Sequence, residues 1–154
     1  MNDVVRVNKV FEKGKICMKK GFCKITVLLV MLFALTACGA QPLPEQFEED
    51  TVREAAEQAI RYFNEKDYQS IIEMGNDDFQ RVLTEEEFAA QSDPYLDKCG
   101  AFQEISKTIF LGNIDEETQA AYGGVVMVGS YEEGTIQFTI AFNEDMDLVQ
   151  FIIR

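Results

Sequence analysis

The chain has 154 residues, of which 47% are hydrophobic, enough for one compact domain. It contains no histidine and no tryptophan, which excludes Ser-His-Asp and Cys-His catalytic pairs, histidine zinc sites and a histidine pH switch. The formal net charge of −13 is unevenly distributed, since residues 38–154 hold seven bases and 25 acids, a net charge of −18. A domain this acidic repels phosphate groups, so we expect no nucleic-acid partner.

Residues 18–38 have the composition of a secretory signal. Three lysines at positions 19, 20 and 24 precede an uncharged apolar run of 13 residues, from Ile25 to Ala37. As a helix this run covers about 20 Å, short of the ~30 Å hydrocarbon core of a membrane. The proportions therefore predict a signal peptide over residues 1–37. Both Met1 and Met18 remain candidate starts, and Met18 would place two lysines directly after the initiator.

The end of the apolar run, Leu35-Thr36-Ala37-Cys38, resembles the lipobox of bacterial lipoproteins. That resemblance implies cleavage before Cys38 and a diacylglyceryl group, with fatty acids such as palmitate, on the Cys38 thiol. Two acyl chains suffice for stable anchoring, so we expect the mature protein on the extracytoplasmic face of the cell membrane. The alternatives are a plain secretory signal or a short membrane anchor that happens to contain Cys38.

Cysteine usage follows from this reading. Cys17 and Cys23 lie in the segment to be removed and Cys38 is the lipid site, so Cys99 alone stays in the domain and no internal disulfide is possible. With no histidine available as a base, we expect Cys99 to be a partly buried apolar residue and not a nucleophile. Residues 38–50 contain two prolines and no apolar period, which predicts a tether that reaches ~40 Å when extended.

Residues 51–154 are predicted to form a single α+β domain that begins with three helices. The first helix begins at Thr51, whose spacing to Glu54 is that of a capping box. Its apolar stripe follows the helical period: Val52, Ala55, Ala56, Ala59, Ile60 and Phe63. Asp67 is expected to cap a second helix that stops at Gly75. Thr84 and Glu87 have capping-box spacing for a third helix, which ends near Tyr95, just past a proline.

From Gly100 onward the apolar period changes to that of β-strands. Four strands are predicted, over residues 102–111, 119–128, 135–142 and 148–153. In the third strand, four apolar residues point to one face: Ile136, Phe138, Ile140 and Phe142. The last strand is almost wholly apolar, so we expect it to be central in the sheet or covered on both faces. Helices followed by an antiparallel sheet predict an α+β fold with the helices on one face.

Four groups of residues carry a resemblance to a known fold: Tyr62 to Tyr68, Phe79, Leu83 to Phe88 and Gly100 to Phe102. With the order of the elements, they resemble the cone-shaped, cystatin-like fold of the nuclear transport factor 2-like superfamily. More narrowly, they resemble the bacterial domain of unknown function 3887. The resemblance implies a curved sheet of about four strands covered by amino-terminal helices, and a possible homodimer through the exposed sheet face. It does not select one function.

Two groups of polar residues are candidates for chemistry. Some members of that superfamily use an aspartate and a tyrosine inside the cone, and residues able to line such a space here are Tyr62, Tyr95, Tyr122 and Asp97. The strand face that meets the helices carries no ionisable group, which favours a filled core. Asn143, Asp145 and Asp147 have the alternate spacing of a calcium loop but lack its glycine and distal glutamate, so a polar hairpin is the simpler interpretation.

The sequence therefore favours a membrane-anchored extracytoplasmic module that binds a partner protein or a small ligand and is not an enzyme. The alternative is a small hydrolase or isomerase that uses a carboxylate within the cone. No catalytic residue, metal ligand or cofactor site is predicted. A buried Asp or Glu beside open volume would favour the enzyme, whereas an interior packed with Phe and Ile would favour the binding module.

Overall fold

The computed structural model describes residues 41–154, so the predicted signal peptide, the lipobox residues Leu35, Thr36 and Ala37, and Cys38 lie outside the described residues. Four helices precede four strands, which confirms the predicted α+β class. The elements are α1 (Glu49–Glu65), α2 (Tyr68–Glu73), α3 (Asp77–Val82), α4 (Glu85–Cys99), β1 (Phe102–Ile114), β2 (Ala121–Tyr131), β3 (Gly134–Phe142) and β4 (Leu148–Ile153). Within residues 41–154, no helix combines the length and apolar character that a membrane span requires.

The strands form one antiparallel sheet in the order β1-β2-β3-β4. One face of the sheet packs against the helices, and the four β3 side chains predicted for that face are all 0% exposed. Phe63 of α1 meets Phe138 of β3 edge to face, with 5.2 Å between the ring centroids. Phe151 of β4 completes this aromatic group, 6.0 Å from Phe138. The helices and the sheet thus form two layers around one apolar core.

The first helix begins earlier than predicted. α1 starts at Glu49, its N-cap is Glu48, and no side chain caps its amino terminus. The predicted capping box of Thr51 and Glu54 is therefore wrong, because Thr51 already lies within the helix. The physical cause is Phe47, which is 7% exposed in the core and stands where the first residue of a hydrophobic staple stands relative to the buried Val52. Burial of Phe47 sets the start of the helix.

The other two predicted caps are confirmed. The Asp67 side chain accepts a hydrogen bond from the backbone N–H of Ser70 at the start of α2. Thr84 and Glu87 form a complete capping box at the start of α4.

α4 ends later than predicted, since it continues past Pro94 to Cys99. A proline inside a helix removes one backbone hydrogen bond. Here Leu96 and Cys99, each 9% exposed, are buried beyond it in the core, and this apolar contact favours the longer helix. Cys99 is a free, buried thiol, as predicted.

Helix α3 is not among the three predicted helices, although residues 76–78 are expected to form a turn or the start of a helix. The Asn76 side chain accepts a hydrogen bond from the backbone N–H of Phe79 and so caps this helix, but none of its six residues is buried. A helix without a buried stripe gives no periodic signal in the sequence.

Strand β4 is also placed differently from the prediction. It has the predicted bounds but lies at the edge of the sheet, and most of its residues are only half-buried. Its apolar composition reflects packing against the helices on one face, not cover on both faces.

The predicted tether contacts the domain over most of the described part of its length. The backbone N–H of Gly112 donates a 2.7 Å hydrogen bond to the carbonyl of Gln41, and the two residues form an isolated antiparallel bridge. A side chain at Gly112 would meet the carbonyl of Pro42, so glycine permits this close approach. Contact with the sheet is therefore already made at Gln41, ten residues before the predicted domain boundary at Thr51.

Candidate functional site

The space between the helices and the sheet is filled by side chains. The largest fully buried residues include Phe63, Phe138 and Phe142, and the only buried polar or charged residue among positions 41–154 is Ser92, at 2% exposure. No buried carboxylate therefore lies in the described interior. A general base inside the core would need such a group with space beside it for a substrate.

The tyrosine and carboxylate that the fold does bring together are Tyr68 and Asp93. Tyr68 is 2% exposed and its hydroxyl donates a 2.6 Å hydrogen bond to Oδ1 of Asp93 on α4. Lys66, which ends α1 in a left-handed conformation with φ 59°, places its ammonium 3.2 Å from the same oxygen. It also lies 3.4 Å from Oδ1 of Asp97. The cluster joins three helices.

Two groups of this cluster have shifted pKa values. The Tyr68 hydroxyl and then the Lys66 ammonium hold the pKa of Asp93 below its ordinary range. Burial, followed by the hydrogen bond to Asp93, raises the pKa of Tyr68 well above its ordinary value. A weakly basic carboxylate and a weakly acidic phenol are poorly matched to general base and general acid roles near neutral pH. The arrangement is suited to holding α2 against α4.

The hydroxyl of the second buried tyrosine, Tyr131, also has a hydrogen-bond partner. The Tyr131 hydroxyl donates a 2.6 Å hydrogen bond to Oδ1 of Asn64, and burial raises the pKa of Tyr131 above its ordinary range. This bond connects the end of β2 to the last turn of α1. It also positions Phe102, whose ring packs edge to face on Tyr131 at 5.5 Å.

Beside this bond lies a groove between α1 and the start of β1. We name it the α1–β1 groove. Its volume is about 500 Å³, within the range of small-molecule sites. Three apolar and five polar or charged residues line it: Ile60, Phe102 and Ile105, with Glu57, Arg61, Asn64, Glu65 and Glu104. Apolar contacts can hold a ligand body there, and the polar groups can orient it.

A second groove, the α4–β4 groove, separates α4 from the edge strand. Its volume is about 380 Å³. Residues from both elements, and Leu83 before α4, line it: Leu83, Phe88, Gln91, Ser92, Tyr95, Phe151, Ile152 and Ile153. No ionisable group other than the Tyr95 phenol is among them.

The four polar residues predicted for a lined interior do not meet there. Tyr95 is 38% exposed and lines the α4–β4 groove, whereas the exposed Asp97 pairs with Lys66. Tyr62 packs at the margin of the core. Tyr122 alternates with the buried residues of β2 and so belongs to the opposite face of the sheet. Sequence reasoning missed the Tyr68–Asp93 pair, because its members are 25 positions apart and share no local pattern.

The candidate calcium residues form a turn between β3 and β4. The Asn143 side chain donates to Oδ2 of Asp147 and accepts from the backbone N–H of Asp147. Met146 has φ 63°, which closes the turn. These are the contacts of a polar hairpin, in which the amide of Asn143 uses the carboxylate that a cation would need.

Comparison with known proteins identifies the family. A family model described as "Protein of unknown function (DUF3887)" matches residues 56–151, from α1 into β4. A solved structure, described as an NMR structure of a protein from Ruminococcus gnavus ATCC 29149, is 39% identical in sequence and has a TM-score of 0.65. The match covers 73% of this chain and 96% of that one. No curated protein matches the chain. The family match confirms the narrower of the two resemblances, to the domain of unknown function 3887, and the chain belongs to the DUF3887 family.

Proposed function

We propose that this protein is a lipoprotein anchored through Cys38 to the extracytoplasmic face of the cell membrane, and that its domain binds a ligand without transforming it. The signal-like segment and the lipobox support the proposed membrane location. The α1–β1 groove supports the binding role, since it is open, of ligand size and lined by three apolar residues beside its polar ones.

The observation that carries the non-catalytic role is the state of the ionisable groups. Among residues 41–154, both tyrosines with a raised pKa donate hydrogen bonds to partners of their own, Asp93 and Asn64. The carboxylate with a tyrosine partner has a lowered pKa. Enzymes that use acid–base catalysis tune such groups toward the working pH, and these shifts run the other way.

The chemistry of the α1–β1 groove favours an amphiphilic ligand. Its lining offers aliphatic and aromatic contact through Ile60, Phe102 and Ile105, and charged groups through Arg61 and three glutamates. A small molecule, or the side chains of a partner protein, would place an apolar body against the first group and a polar group near the second.

A fluorescent apolar probe tests the groove. Binding of 1-anilinonaphthalene-8-sulfonate is compared between the unmodified protein, Ile105→Glu and Ile114→Glu. Both isoleucines are in β1, but only Ile105 lines the groove, and Ile114 is 47% exposed. We expect Ile105→Glu to weaken probe binding about tenfold, since burying a carboxylate beneath a bound apolar probe is costly, and Ile114→Glu to leave it unchanged. Equal effects of the two variants would contradict the groove.

Intact-mass spectrometry of the membrane fraction tests the lipid anchor and the membrane location. We expect the mass of residues 38–154 plus a diacylglyceryl group, and its loss in a Cys38→Ala variant. An unlipidated full-length chain in the cytosol would contradict the anchor but would leave the groove experiment interpretable.

We also propose that the sheet face away from the helices pairs two copies of the chain. Alternation along the strands places Ile109, Leu111 and Val126 on that face, and Ile109 is 40% exposed. Exposed apolar surface of this kind is common at interfaces. Sedimentation equilibrium of the unmodified protein and Val126→Lys tests this pairing, and a monomer at high concentration would contradict it.

A further inference from the structure

The outer edge of β4 has no strand partner over its second half. The backbone N–H and C=O of Arg154 both bond to Gln137 of β3. Because antiparallel pairs alternate between bonded and non-bonded positions, the backbone groups of Ile153 and Phe151 point away from β3. The first residue of the strand, Leu148, is partnered on this outer edge, by the backbone of Met74 and Asn76. Within residues 41–154, no strand lies beside Phe151 and Ile153.

The two edges of the sheet differ in how they are protected. β1, the opposite edge, has two register shifts between Phe102 and Lys107, and its far end pairs with Gln41. Bulges, lysines and a covering segment are devices that keep an edge from recruiting another strand. At its start, β4 is covered by the backbone of Met74 and Asn76 and contacts α3. After Gln150 the strand, whose sequence is LVQFII, has no charge, proline or register shift. Such an edge readily accepts a further strand.

The α4–β4 groove lies directly beside this unpaired edge. Phe151, Ile152 and Ile153 form one wall, and the apolar side chains of Leu83 and Phe88 contribute to the other. A chain added next to β4 would bond to the backbone of Phe151 and Ile153. Every second side chain of that chain would point toward the helix layer, where the groove offers about 380 Å³. This is the combination of backbone pairing and side-chain pockets used in β-strand addition.

Charge indicates which extended segment fits. Residues 41–154 have seven bases against 25 acids. If the apolar residues of an alternating segment enter the groove, its other side chains point to the opposite face of the sheet. Lysine or arginine at those positions would complement the net negative charge of the domain.

We propose that the outer edge of β4, together with the α4–β4 groove, binds an extended basic segment of a partner protein as a fifth strand of the sheet. The apolar side chains of this segment fill the groove, and its backbone pairs with Phe151 and Ile153. This interaction is separate from the α1–β1 groove and from the exposed sheet face.

The experiment uses the full chain purified from membranes in mild detergent and a fluorescein-labelled peptide that alternates lysine with valine. Two control peptides are matched in length: one alternates glutamate with valine, and one carries N-methyl groups on alternate backbone amides. We expect fluorescence polarisation to show binding of the first peptide about tenfold tighter than either control. Hydrogen exchange at Phe151 and Ile153 should slow only with the first peptide.

Two variants at Ile153 distinguish the contribution of the backbone N–H to peptide affinity from that of the side chain. Ile153→Pro removes the outward N–H, whereas Ile153→Ala shortens the side chain and keeps that N–H. We expect about a tenfold loss of peptide affinity in the first and less than about threefold in the second. Circular dichroism should show both variants folded, because proline is tolerated on an edge strand.

Three results would overturn the proposal. In the first, the N-methylated peptide binds as tightly as the unmodified one. In the second, exchange at Phe151 and Ile153 does not change with peptide. In the third, the chain self-associates through this edge, which sedimentation would show as a dimer lost in Ile153→Pro, while no peptide binds. The exchange measurement decides the question even if Ile153→Pro fails to fold.

Discussion

The Tyr131 hydroxyl donates a 2.6 Å hydrogen bond to the side-chain oxygen of Asn64, across 67 positions of sequence. Tyr131 is 4% exposed. Removal of its hydroxyl would leave the side-chain oxygen of Asn64 without this hydrogen-bond donor. We expect Tyr131→Phe to lower the free energy of unfolding by about 1–2 kcal/mol. Urea denaturation measures this, with Tyr122→Phe on the half-buried face as the control. Equal losses in the two variants would show that the bond contributes nothing specific.

The Tyr68–Asp93 bond predicts a pH-dependent contribution to stability. Asp93 has a lowered pKa in the folded chain, so its contribution is complete above the ordinary value of 3.8 and disappears as pH falls through the lower, folded value. We expect Tyr68→Phe to be less stable than the unmodified protein at pH 7, with the difference shrinking in acid. Thermal unfolding across pH checks this. A difference that grows in acid would contradict the assigned interaction.

The two threonines of predicted capping boxes give a direct comparison. Thr84 accepts a hydrogen bond from the backbone of Glu87 at the start of α4, and we expect Thr84→Ala to cost about 1 kcal/mol. Thr51 lies exposed inside α1, where alanine has the higher helix propensity, so Thr51→Ala should be neutral or slightly stabilising. Denaturation midpoints of the two variants measure the contrast. A larger cost at Thr51 would mean that α1 begins where the sequence pattern placed it.

Contact between the amino-terminal segment and β1 depends on Gly112. A Cβ atom there would meet the carbonyl of Pro42, whereas a Cβ at Gly134 would make only an ordinary 3.6 Å contact with Cys99. We therefore expect Gly112→Ala to speed hydrogen exchange over residues 41–47 and Gly134→Ala to leave it unchanged. Mass spectrometry of the exchanged peptides would show this, and unchanged protection in Gly112→Ala would mean that the segment is held by other contacts.

Sequence patterns predicted those elements whose apolar residues repeat with a clear period. The alternation along β3 and the stripe of α1 identified buried faces that the structure confirms. Helix α3 has no buried residue, so it left no such pattern. The edge position of β4 was also out of reach, because a strand covered on one face at a sheet edge and a central strand can have the same apolar composition.

The candidate site was harder to predict from the sequence than the fold. The apolar lining of the α1–β1 groove combines Ile60 from the first helix with Phe102 and Ile105 from the first strand. The helix residue and the strand residues are some 40 positions apart in the sequence. Only the packing of α1 against the sheet brings them together. Likewise, nothing local links Tyr68 to Asp93. Residues whose significance arises from tertiary contact carry no signal in a single sequence.

The bond between Gln41 and Gly112 also limits how far the domain can move from an anchor. Only Gly39 and Ala40 separate Cys38 from Gln41, so three Cα steps, about 11 Å, replace the ~40 Å of a free tether. With a lipid on Cys38, Gln41 would stay within that distance of the lipid-bearing residue, and the end of β1 lies one strand spacing further. The height of the domain above the membrane would then be set by its own dimensions, and a partner would have to approach the membrane to meet it.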